Sequence, residues 1–277
     1  MTARIPLAGV IGSPVAHSLS PRLHGHWLKT YGVAGHYIPM DIAQSDLAEV
    51  LQMLPRMGFV GVNVTIPHKE TALSLANLVT DRAALIGAAN TLIFHEDGRI
   101  HADNTDGYGF LANLRQNAPG WDPQSGPAAV FGAGGAARAI VTALIDAGAP
   151  TIRLTNRTRG RAEALRSEFG PKIEVYDWVH SGPMLAGAAT VVNTTSLGMV
   201  GKPEFRVSLD ALDPAATVND LVYAPLETPF LRHAAERGCR VVDGLGMLLH
   251  QAAPGFERWF GIRPEVTDEL RQAVLAQ

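Results

Sequence analysis

The sequence AAVFGAGGAARAIVTALIDAG, residues 128–148, decides the fold of this chain. Its first residues, Ala128–Phe131, are small or apolar and predict a short buried strand. Residues 132–137 then fit the glycine pattern G-x-G-x-x-G/A. A helix is predicted over Arg138–Ala147, and Gly148 ends it. The order of strand, glycine loop and helix is typical of a dinucleotide-binding unit.

A second strand, predicted over Thr151–Thr155, raises this glycine pattern above a chance match. Gly132 permits a tight turn, and Gly134 lets backbone N–H groups approach a pyrophosphate. The positive end of the helix dipole favours the same anionic group. The stretch therefore predicts a Rossmann-type domain that binds a dinucleotide.

The end of the second strand indicates which dinucleotide is bound. NAD-binding units usually place Asp or Glu there to accept hydrogen bonds from the ribose. This chain has Asn156, Arg157 and Thr158 instead, followed by Arg161. The two arginines can bind a 2′-phosphate through charge-assisted hydrogen bonds, although a solvated helix start also explains them. The missing acid favours NADP as the cofactor.

Composition excludes several classes of protein. The chain has 277 residues, of which 47% are hydrophobic and 18% charged, and its net charge is −3. This length suits two domains with a sizeable core. Because no basic stripe is visible, nucleic acid is not expected as a partner. No apolar run reaches the ~18 residues of a membrane span, so no membrane partner is expected.

Cysteine and histidine usage bears on location and metals. Cys239 is the only cysteine, so no disulfide framework is expected and a cytoplasmic location follows. The N-terminal sequence lacks the apolar core of a signal peptide. His24 and His26 form the closest histidine pair, and solvated or capping side chains explain them without a metal. The sequence predicts no metal site.

The sequence GFVGVNVTIPHKE, residues 58–70, predicts a strand that runs into a helix. Apolar residues occupy every second position, as in a strand, and Pro67 suits the first position of a helix that continues through ETALSLANLV. Asn63, Thr65 and Lys69 surround this junction, and open α/β folds bind ligands at such strand ends. A surface lysine at a helix start explains Lys69 equally well on this stretch alone.

The N-terminal region alternates strands and helices. Three elements are predicted from apolar patterns, namely strands over Ile5–Gly12 and His36–Asp41 and a helix over Ser45–Met57. Ser20, followed by Pro21, is predicted as the N-cap of a further helix. Capping leaves Ser18 unexplained, and two hydroxyls after a strand could bind a polyol or carboxylate. The alternation predicts an α/β fold with a mainly parallel sheet.

A hairpin is predicted between Thr91–Phe94 and Arg99–Ala102, because Asp-Gly between two short strands is typical of a hairpin turn. Asn90 precedes this hairpin and Asp106 follows it. Helix capping explains Asp106 on its own, and a turn explains Asn90 on its own.

The C-terminal half continues the same pattern. Short apolar runs with small or polar ends predict strands within Val191–Met199, Val218–Val222 and Arg240–Val242. A loop rich in Pro and Gly, residues 117–127, is expected near a domain boundary. Met247–Phe260 predicts an amphipathic helix in which Gln251 is the interior polar residue and Pro254 causes a bend or a break into two helices. Thr267 can cap a last helix over Asp268–Ala276.

Nine motifs along the chain together resemble those of the shikimate dehydrogenase family. They are HSLSP at 17–21, NVTIPHK at 63–69, GAANT at 87–91, NTDGYG at 104–109, GAGGAA at 132–137, NRT at 156–158, NTTSLGM at 193–199, DLVYAP at 220–225 and GMLLHQA at 246–252. Each motif is weak alone, but they occur in family order across nearly the whole chain. The chain departs from the family at Gly25, where asparagine is common, and at Pro254.

The resemblance implies reversible, NADP-dependent reduction of 3-dehydroshikimate to shikimate, a step of chorismate and aromatic amino-acid biosynthesis. It makes Lys69 and Asp106 the catalytic pair that handles the proton. The substrate-binding positions it implies are Ser18, Ser20, Asn63, Thr65, Asn90, Tyr223 and Gln251. The cofactor-binding positions are Gly132, Ala133, Gly134, Gly135, Ala136, Asn156, Arg157, Thr158, Arg161, Thr194, Leu221, Gly244 and Met247.

The domain organisation that follows has two parts. Residues 1–106, completed by C-terminal helices in 247–277, are expected to form an α/β substrate-binding and catalytic domain. Residues 107–246 are expected to form the NADP-binding Rossmann domain. The expected partner is a small-molecule substrate, and the chain is expected to be a monomer or a homodimer.

Two other functions compete with this one. A quinate/shikimate dehydrogenase would have a wider substrate range, but such relatives tend to use NAD and to carry an acid after the second strand. A non-catalytic sensor of ligand and dinucleotide should lack Lys69 or Asp106, and this chain keeps both.

Overall fold

Two six-stranded sheets, each with its own helices, organise the computed structural model, which describes residues 5–276. The chain divides into two units. Unit 1 comprises residues 1–105 with 249–277, and unit 2 comprises residues 106–248. Among residues 5–276, no helix is long and apolar enough to cross a membrane.

Unit 1 is built on a mainly parallel sheet with the strand order β2-β1-β3-β5-β6-β4. The strands are β1 (Leu7–Gly12), β2 (His36–Asp41), β3 (Phe59–Val64), β4 (Leu78–Val79), β5 (Thr91–Phe94) and β6 (Ile100–Asp103). Strand β1 pairs in parallel with β2 and β3, whereas β5 runs antiparallel to both β3 and β6. The helices are α1 (Ser20–Thr30), α2 (Leu47–Met53), α3 (Lys69–Ser74) and α4 (Asp81–Ile86). The predicted hairpin of β5 and β6 is confirmed, with Gly98 at a positive φ of 84° in its turn.

The junction after β3 differs from its prediction. Pro67 is not the first helical residue, because α3 begins at Lys69 with His68 as its N-cap. The alternating apolar residues predicted a strand that extends to Ile66, but β3 ends at Val64 and Ile66 is 74% exposed. The predicted helix stops at Ser74, and residues 78–79 instead form β4 by pairing with β6. Pairing between distant strands decides this segment, and local periodicity cannot show it.

Two predicted helix starts in unit 1 are also wrong. Ser20 is the first residue of α1 and its N-cap is Leu19. The hydroxyl of Ser18 accepts a hydrogen bond from the Ser20 N–H at 3.3 Å, so the hydroxyl that serves this turn is the one two residues earlier. Helix α2 spans only Leu47–Met53, with Asp46 as its N-cap, because the residues after Met53 form turns that lead into β3.

Unit 2 is a parallel sheet with the strand order β12-β11-β10-β7-β8-β9. The strands are β7 (Ala128–Phe131), β8 (Ile152–Thr155), β9 (Ile173–Tyr176), β10 (Thr190–Asn193), β11 (Thr217–Asp220) and β12 (Arg240–Val242). Its helices are α5 (Asp106–Asn117), α6 (Gly135–Asp146), α7 (Arg159–Phe169) and α8 (Pro229–Glu236), followed by α9 (Leu245–Phe260), which belongs to unit 2 only as far as Leu248. Read from β9, the order is that of a doubly wound Rossmann sheet, so the strand order reverses between β7 and β10. Ligands bind at such reversals, beyond the carboxyl ends of the strands.

The loop at residues 117–127 lies inside unit 2 and not near its boundary. Helix α5 precedes the loop and belongs to the same unit, with Phe110 and Leu114 in a core shared with β7 and α6. The loop is tied down within that unit, since the Trp121 indole N–H donates to the Thr190 hydroxyl at 2.9 Å.

The C-terminal helices complete unit 1. Helix α9 is continuous through Pro254, so of the two predicted alternatives the break into two helices is wrong. An interior proline costs about 3 kcal/mol, and burial of Phe256 and Trp259 in unit 1 offsets that cost. The last helix, α10 (Asp268–Leu275), is capped as predicted, because the Thr267 hydroxyl accepts from the Leu270 N–H at 3.2 Å.

Trp259 fits into a notch in the sheet of unit 1 that a glycine leaves open. Its indole N–H donates to the Leu92 carbonyl at 3.0 Å, across the face of Gly61 in β3. A methyl group at position 61 would lie 2.0 Å from the indole nitrogen. Only glycine therefore lets helix α9 approach the sheet so closely.

Candidate functional site

Two buried asparagines in unit 1 form the centre of a polar cluster. Asn63 near the end of β3 and Asn90 just before β5 are 5% and 2% exposed. The Asn63 side-chain N–H₂ donates to the Asn90 carbonyl at 3.2 Å and to the Thr91 hydroxyl at 3.3 Å. Buried amides are stable only when they are hydrogen-bonded in this way.

Asn90 links Asn63 to helix α9, which contains Gln251. Its side-chain oxygen accepts from the Thr91 hydroxyl and the Thr105 N–H, both at 2.9 Å. Its side-chain N–H₂ donates to Gln251 Oε1 at 3.2 Å, and the Thr105 hydroxyl donates to the Gln251 carbonyl at 2.8 Å. The structure thus brings together Asn63, Asn90 and Gln251, three predicted substrate-binding residues, with Thr91 and Thr105. We call these five residues the amide cluster.

The other hydroxyls predicted to bind substrate in unit 1 lie at the carboxyl ends of β1 and β3. Ser20 is buried and Ser18 half-buried on the turn after β1. Thr65 follows β3, and its N–H donates to the Ile11 carbonyl at 2.9 Å. A methyl group on Gly12 would lie 2.5 Å from the Thr65 methyl, so the two strand ends approach closely. These hydroxyls share one edge of the sheet.

Lys69 is the first residue of α3 and is half-buried. Its carbonyl accepts from the Ala89 N–H at 2.9 Å, which ties the start of the helix to the residue before Asn90. A cation at a helix N-terminus is mildly opposed by the macrodipole, so capping does not explain this lysine. Asp106 is the first residue of α5, is 7% exposed and belongs to unit 2. The predicted catalytic pair is thus divided between the two units.

Sequence patterns did not reveal two aromatic side chains beside the amide cluster. The rings of His24 in α1 and Tyr37 in β2 stack with centroids 3.9 Å apart and planes at 6°. Burial lowers the pKa of His24 to about 3, against an opposing interaction with Asn63. The interpretation of His24 as solvated or capping is therefore wrong. The apolar stripe of α1, in which Leu23 and Trp27 flank His24, was the available signal.

The glycine loop of unit 2 leaves open space at the start of α6. Gly132 has a φ of +109°, which favours glycine, and a methyl group there would lie 2.5 Å from the Thr194 hydroxyl. Gly134 is the N-cap of α6, and both Gly134 and Gly135 are exposed. Apart from the adjacent residues of the loop and helix themselves, no described atom lies within 4 Å of a methyl group built on either. Backbone N–H groups at the start of a helix bind phosphate groups, so this open loop fits the pyrophosphate of a dinucleotide.

A cavity of about 360 Å³ opens at the carboxyl end of β8. The Asn156 side-chain N–H₂ donates to the Thr158 carbonyl at 2.8 Å and shapes the turn, while Arg157 and Arg161 are exposed. The residues lining the cavity are Asn156, Arg157, Trp178, Thr195, Ser196, Leu197, Glu204 and Arg206. Sequence reasoning missed Trp178, Glu204 and Arg206, because they follow other strands and match no motif.

The turns after β10 and β11 rest on a buried carboxyl group. Asp220 accepts from the Asn193 side chain at 2.9 Å, the Val222 N–H at 3.0 Å and the Thr228 hydroxyl at 2.7 Å. Burial raises the pKa of Asp220 to about 6, although these hydrogen bonds oppose the shift. The network fixes the turns that carry the remaining predicted cofactor residues.

Those remaining residues, with Tyr223, occupy the same end of the sheet in unit 2. The Thr194 hydroxyl donates to the Phe131 carbonyl at 2.6 Å. Leu221 and Met247 pack against the core that β7 shares with α6. A methyl group on Gly244 would lie 2.3 Å from the Leu221 carbonyl oxygen, so the turn after β12 contacts the turn after β11. Burial raises the pKa of Tyr223.

Comparison with known families gives matches at both ends of the chain. Residues 10–92 match the family model of the shikimate dehydrogenase substrate binding domain. Residues 244–275 match that of the shikimate 5′-dehydrogenase C-terminal domain. A shikimate dehydrogenase (NADP(+)) from Cereibacter sphaeroides is 74% identical over 273 residues, which cover 99% of this chain and 98% of that protein.

Solved structures resemble the chain over its length. Shikimate 5-dehydrogenase from Thermus thermophilus, in complex with NADP(H) and shikimate, is 37% identical with a TM-score of 0.87, and the match covers 98% of each chain. Quinate dehydrogenase from Corynebacterium glutamicum, in complex with NAD, is 30% identical with a TM-score of 0.90, over 98% of this chain and 99% of that one. With the full-length identity to the Cereibacter protein, these matches show that the chain belongs to the shikimate dehydrogenase family.

Proposed function

We propose that this chain catalyses the reversible, NADP-dependent reduction of 3-dehydroshikimate to shikimate. The observation that carries the proposal is the amide cluster beside Lys69, in a chain 74% identical to an NADP-dependent shikimate dehydrogenase over 99% of its length. The cluster supplies hydrogen-bonding groups for ring hydroxyls, and the lysine supplies a cation and a proton. In this assignment unit 1 binds the substrate and unit 2 binds the dinucleotide.

The substrate carries a carboxylate and several hydroxyls, and the proposed residues divide between them. Ser18, Ser20 and Thr65 offer O–H donors at the ends of β1 and β3. Asn63, Asn90 and Gln251 offer amides, and Tyr223 offers a phenol. Recognition by several fixed polar groups gives strong selectivity, because an analogue that lacks one hydroxyl leaves a buried group unpaired.

The chemistry assigned to this chain's own residues is proton transfer. Bound NADPH supplies a hydride to the carbonyl carbon of the substrate. The oxygen then becomes an alkoxide, and the Lys69 ammonium group stabilises its charge and donates the proton that gives the alcohol. Asp106, the second member of the proposed pair, supplies a carboxylate that can take up and return a proton. Positioned acid–base catalysis of this kind contributes roughly 10²–10⁴-fold.

The cofactor is NADP. The open glycine loop at residues 132–137 fits the pyrophosphate. Arg157 and Arg161 are exposed cations at the end of β8, where a 2′-phosphate would be bound. The C. sphaeroides relative is named for the same cofactor.

The test of the catalytic role is Lys69→Ala. We expect turnover to fall by at least about 10²-fold while shikimate still binds, because the proton donor is lost and the amide cluster is kept. Turnover is followed as NADP⁺ reduction, and shikimate binding by calorimetry. Lys29→Ala, which removes an exposed lysine from α1, is the matched control. Near-normal turnover in Lys69→Ala would rule out the assigned role.

The test of specificity is a parallel assay with shikimate or quinate and NADP⁺ or NAD⁺. We expect shikimate with NADP⁺ to give the highest kcat/KM. Stronger activity with quinate and NAD⁺ would make the chain a quinate/shikimate dehydrogenase instead.

Location and assembly complete the proposal. We place the chain in the cytoplasm, since its single cysteine, Cys239, is buried and no disulfide can form within the chain. We propose that it acts on its small-molecule substrate as a monomer or a homodimer, which sedimentation would distinguish.

A further inference from the structure

The phenol of Tyr37 is a buried polar group that the proposed mechanism does not use. Tyr37 lies in the edge strand β2 and is 7% exposed. Its hydroxyl donates to the side-chain oxygen of Asn63 at 2.7 Å. A buried tyrosine hydroxyl bonded to a residue of a proposed binding site needs an explanation beyond packing.

The hydrogen bonds of Asn63 determine which way its amide faces. The Asn90 carbonyl can only accept, so the Asn63 N–H₂ must face it. Its other N–H faces the Thr91 hydroxyl at 3.3 Å. Both hydrogens are therefore committed within the protein, and the side-chain oxygen faces the Tyr37 hydroxyl.

The arrangement leaves Asn63 one way to contact a ligand. An amide oxygen has two lone pairs, and Tyr37 occupies one of them. Asn63 can thus accept a hydrogen bond from a substrate hydroxyl but cannot donate one to a carboxylate. Without the phenol, the oxygen would lose a buried hydrogen-bond donor, and only the two N–H hydrogen bonds would hold the amide in place.

His24 holds the phenol in place from α1. The two rings stack 3.9 Å apart and nearly parallel, and His24 is fully buried. Burial keeps His24 neutral at physiological pH, since it lowers the pKa of the ring to about 3. The interaction of Ser20 with Tyr37 connects the same phenol to the serine turn. Tyr37 thus joins the serine turn to the amide cluster.

We propose that Tyr37, held by the ring of His24, is a positioning residue that fixes the Asn63 amide as an acceptor for a ring hydroxyl of the substrate. This proposal rests on the proposed function, because Asn63 is a substrate-binding residue only if the chain acts on shikimate. Tyr37 acts through Asn63 and need not touch the substrate itself.

Tyr37→Phe tests the proposal, because it deletes the hydroxyl and keeps the ring stacked on His24. We expect the KM for shikimate to rise about tenfold, while kcat and the KM for NADP⁺ stay within about twofold. The size follows from the loss of a hydrogen bond to a buried oxygen and from the weaker hold on the amide. A purely structural defect would instead lower the active fraction and hence kcat.

Tyr31→Phe is the matched control. It deletes a phenol hydroxyl in the same unit, one that accepts from the Glu265 N–H at 3.0 Å at an exposed position. We expect all kinetic constants to stay unchanged in this variant. Thermal unfolding of both phenylalanine variants checks that they fold.

A double-mutant cycle with Asn63→Ala separates action through Asn63 from a direct effect. We expect Tyr37→Phe to add less than twofold to the KM for shikimate when Asn63 is already alanine. Thr91→Val, which leaves Tyr37 intact and removes one acceptor of the amide, should raise the same KM severalfold.

Several outcomes would overturn the proposal. These are an unchanged KM for shikimate in Tyr37→Phe, an equal rise in the KM for NADP⁺, and a full additional effect in the Asn63→Ala background. If Tyr37→Phe does not fold, an unchanged KM in Thr91→Val overturns it. Failure of the wild-type chain to oxidise shikimate would refute the proposed function instead, so the two failures are distinguishable.

Discussion

The amide cluster of unit 1 and the glycine loop of unit 2 show two ways of building a binding site. In the cluster, Asn63 and Asn90 are almost fully buried and every side chain holds another in place. In the loop, Gly134 and Gly135 are exposed, and open space lies where a side chain would begin on either residue. Side-chain hydrogen bonds fix the orientation of the binding groups in the amide cluster, whereas backbone conformation fixes it in the glycine loop.

This difference predicts how each site responds to substitution. In unit 1 a change in a binding residue also removes buried hydrogen bonds, so binding and folding should be lost together. In unit 2 a side chain added to the glycine loop would contact only solvent and bound cofactor. Such a substitution should therefore weaken cofactor binding without lowering the stability of the fold. Four substitutions test the comparison, from the largest expected effect to the smallest.

Asn90→Ala should have the largest effect. It deletes the buried hydrogen bonds that the Asn90 side chain makes with the Thr105 N–H, the Thr91 hydroxyl and Gln251 Oε1. We expect the free energy of unfolding to fall by about 4 kcal/mol, since each unsatisfied buried group costs about 1–3 kcal/mol. Urea unfolding measures the loss.

Asn156→Ala is its control in unit 2, where the amide makes one exposed hydrogen bond with the Thr158 carbonyl. We expect a change below about 0.5 kcal/mol there. If the free energy of unfolding fell equally in Asn90→Ala and Asn156→Ala, the proposed difference between the two sites would be wrong.

Asp220 is the exception within unit 2, because it is a buried group on which the exposed turns rest. Its folded-state pKa, raised to about 6, exceeds the ordinary value of 3.8. The folded protein therefore holds this proton more tightly than the unfolded chain, and the resulting stabilisation is lost as the pH rises from about 4 through 6. At about 1.4 kcal/mol per pKa unit, the loss approaches 3 kcal/mol.

The measurement for Asp220 is the free energy of unfolding between pH 4 and 7, compared with that of Asp220→Asn. Subtracting the variant removes the contribution of other titrating groups. A difference between the two proteins that does not change with pH would show that Asp220 is ionised throughout.

Gly134→Ala should affect the cofactor alone. Its φ of −96° suits alanine, and no described atom beyond its two chain neighbours lies within 4 Å of the added methyl group, so folding should be unaffected. The methyl group would fill the space proposed for the pyrophosphate. We expect the KM for NADP⁺ to rise about tenfold, equivalent to about 1.4 kcal/mol, in steady-state assays. Gly25→Ala, at a similarly open position in α1, should leave every KM unchanged.

Arg206→Gln should have the smallest effect. Arg206 lines the cavity next to Arg157 and is paired with Glu204 at 3.0 Å, and its side chain is 84% exposed. An exposed cation contributes less than about 1 kcal/mol, so we expect the KM for NADP⁺ to rise about threefold with no change for NAD⁺. Arg166→Gln, on α7, is the control. If the KM rose equally for NADP⁺ and NAD⁺, Arg206 would not be a residue that recognises the 2′-phosphate.

Sequence reasoning succeeded where local chemistry determines structure. Strands β7 and β12 span the predicted residues, and the turn at Gly132 has the predicted positive φ. Both features follow from a short apolar run or a glycine, read within a few residues. The positions of Asn63, Asn90 and Gln251 were named from motifs, but their mutual hydrogen bonds were not.

Sequence reasoning failed where contacts with distant segments of the chain determine the local structure. Pro254 stays inside a continuous helix because Trp259 is anchored on a strand far away in the chain. Residues 78–79 form a strand because β6 pairs with them. His24, Tyr37 and Arg206 belong to no motif, and only the folded chain shows what they contact.

The notch at Gly61 has a consequence for how the protein is made. Trp259, which fills the notch, is 167 residues beyond Leu92, its hydrogen-bond partner. At about 5–20 residues per second, the ribosome needs roughly 10–30 s to make that interval. All of unit 2 is synthesised in this time, while the apolar face that awaits α9 stays uncovered in the nascent chain. We expect chaperones to bind the nascent chain during that interval and to be released when Trp259 emerges.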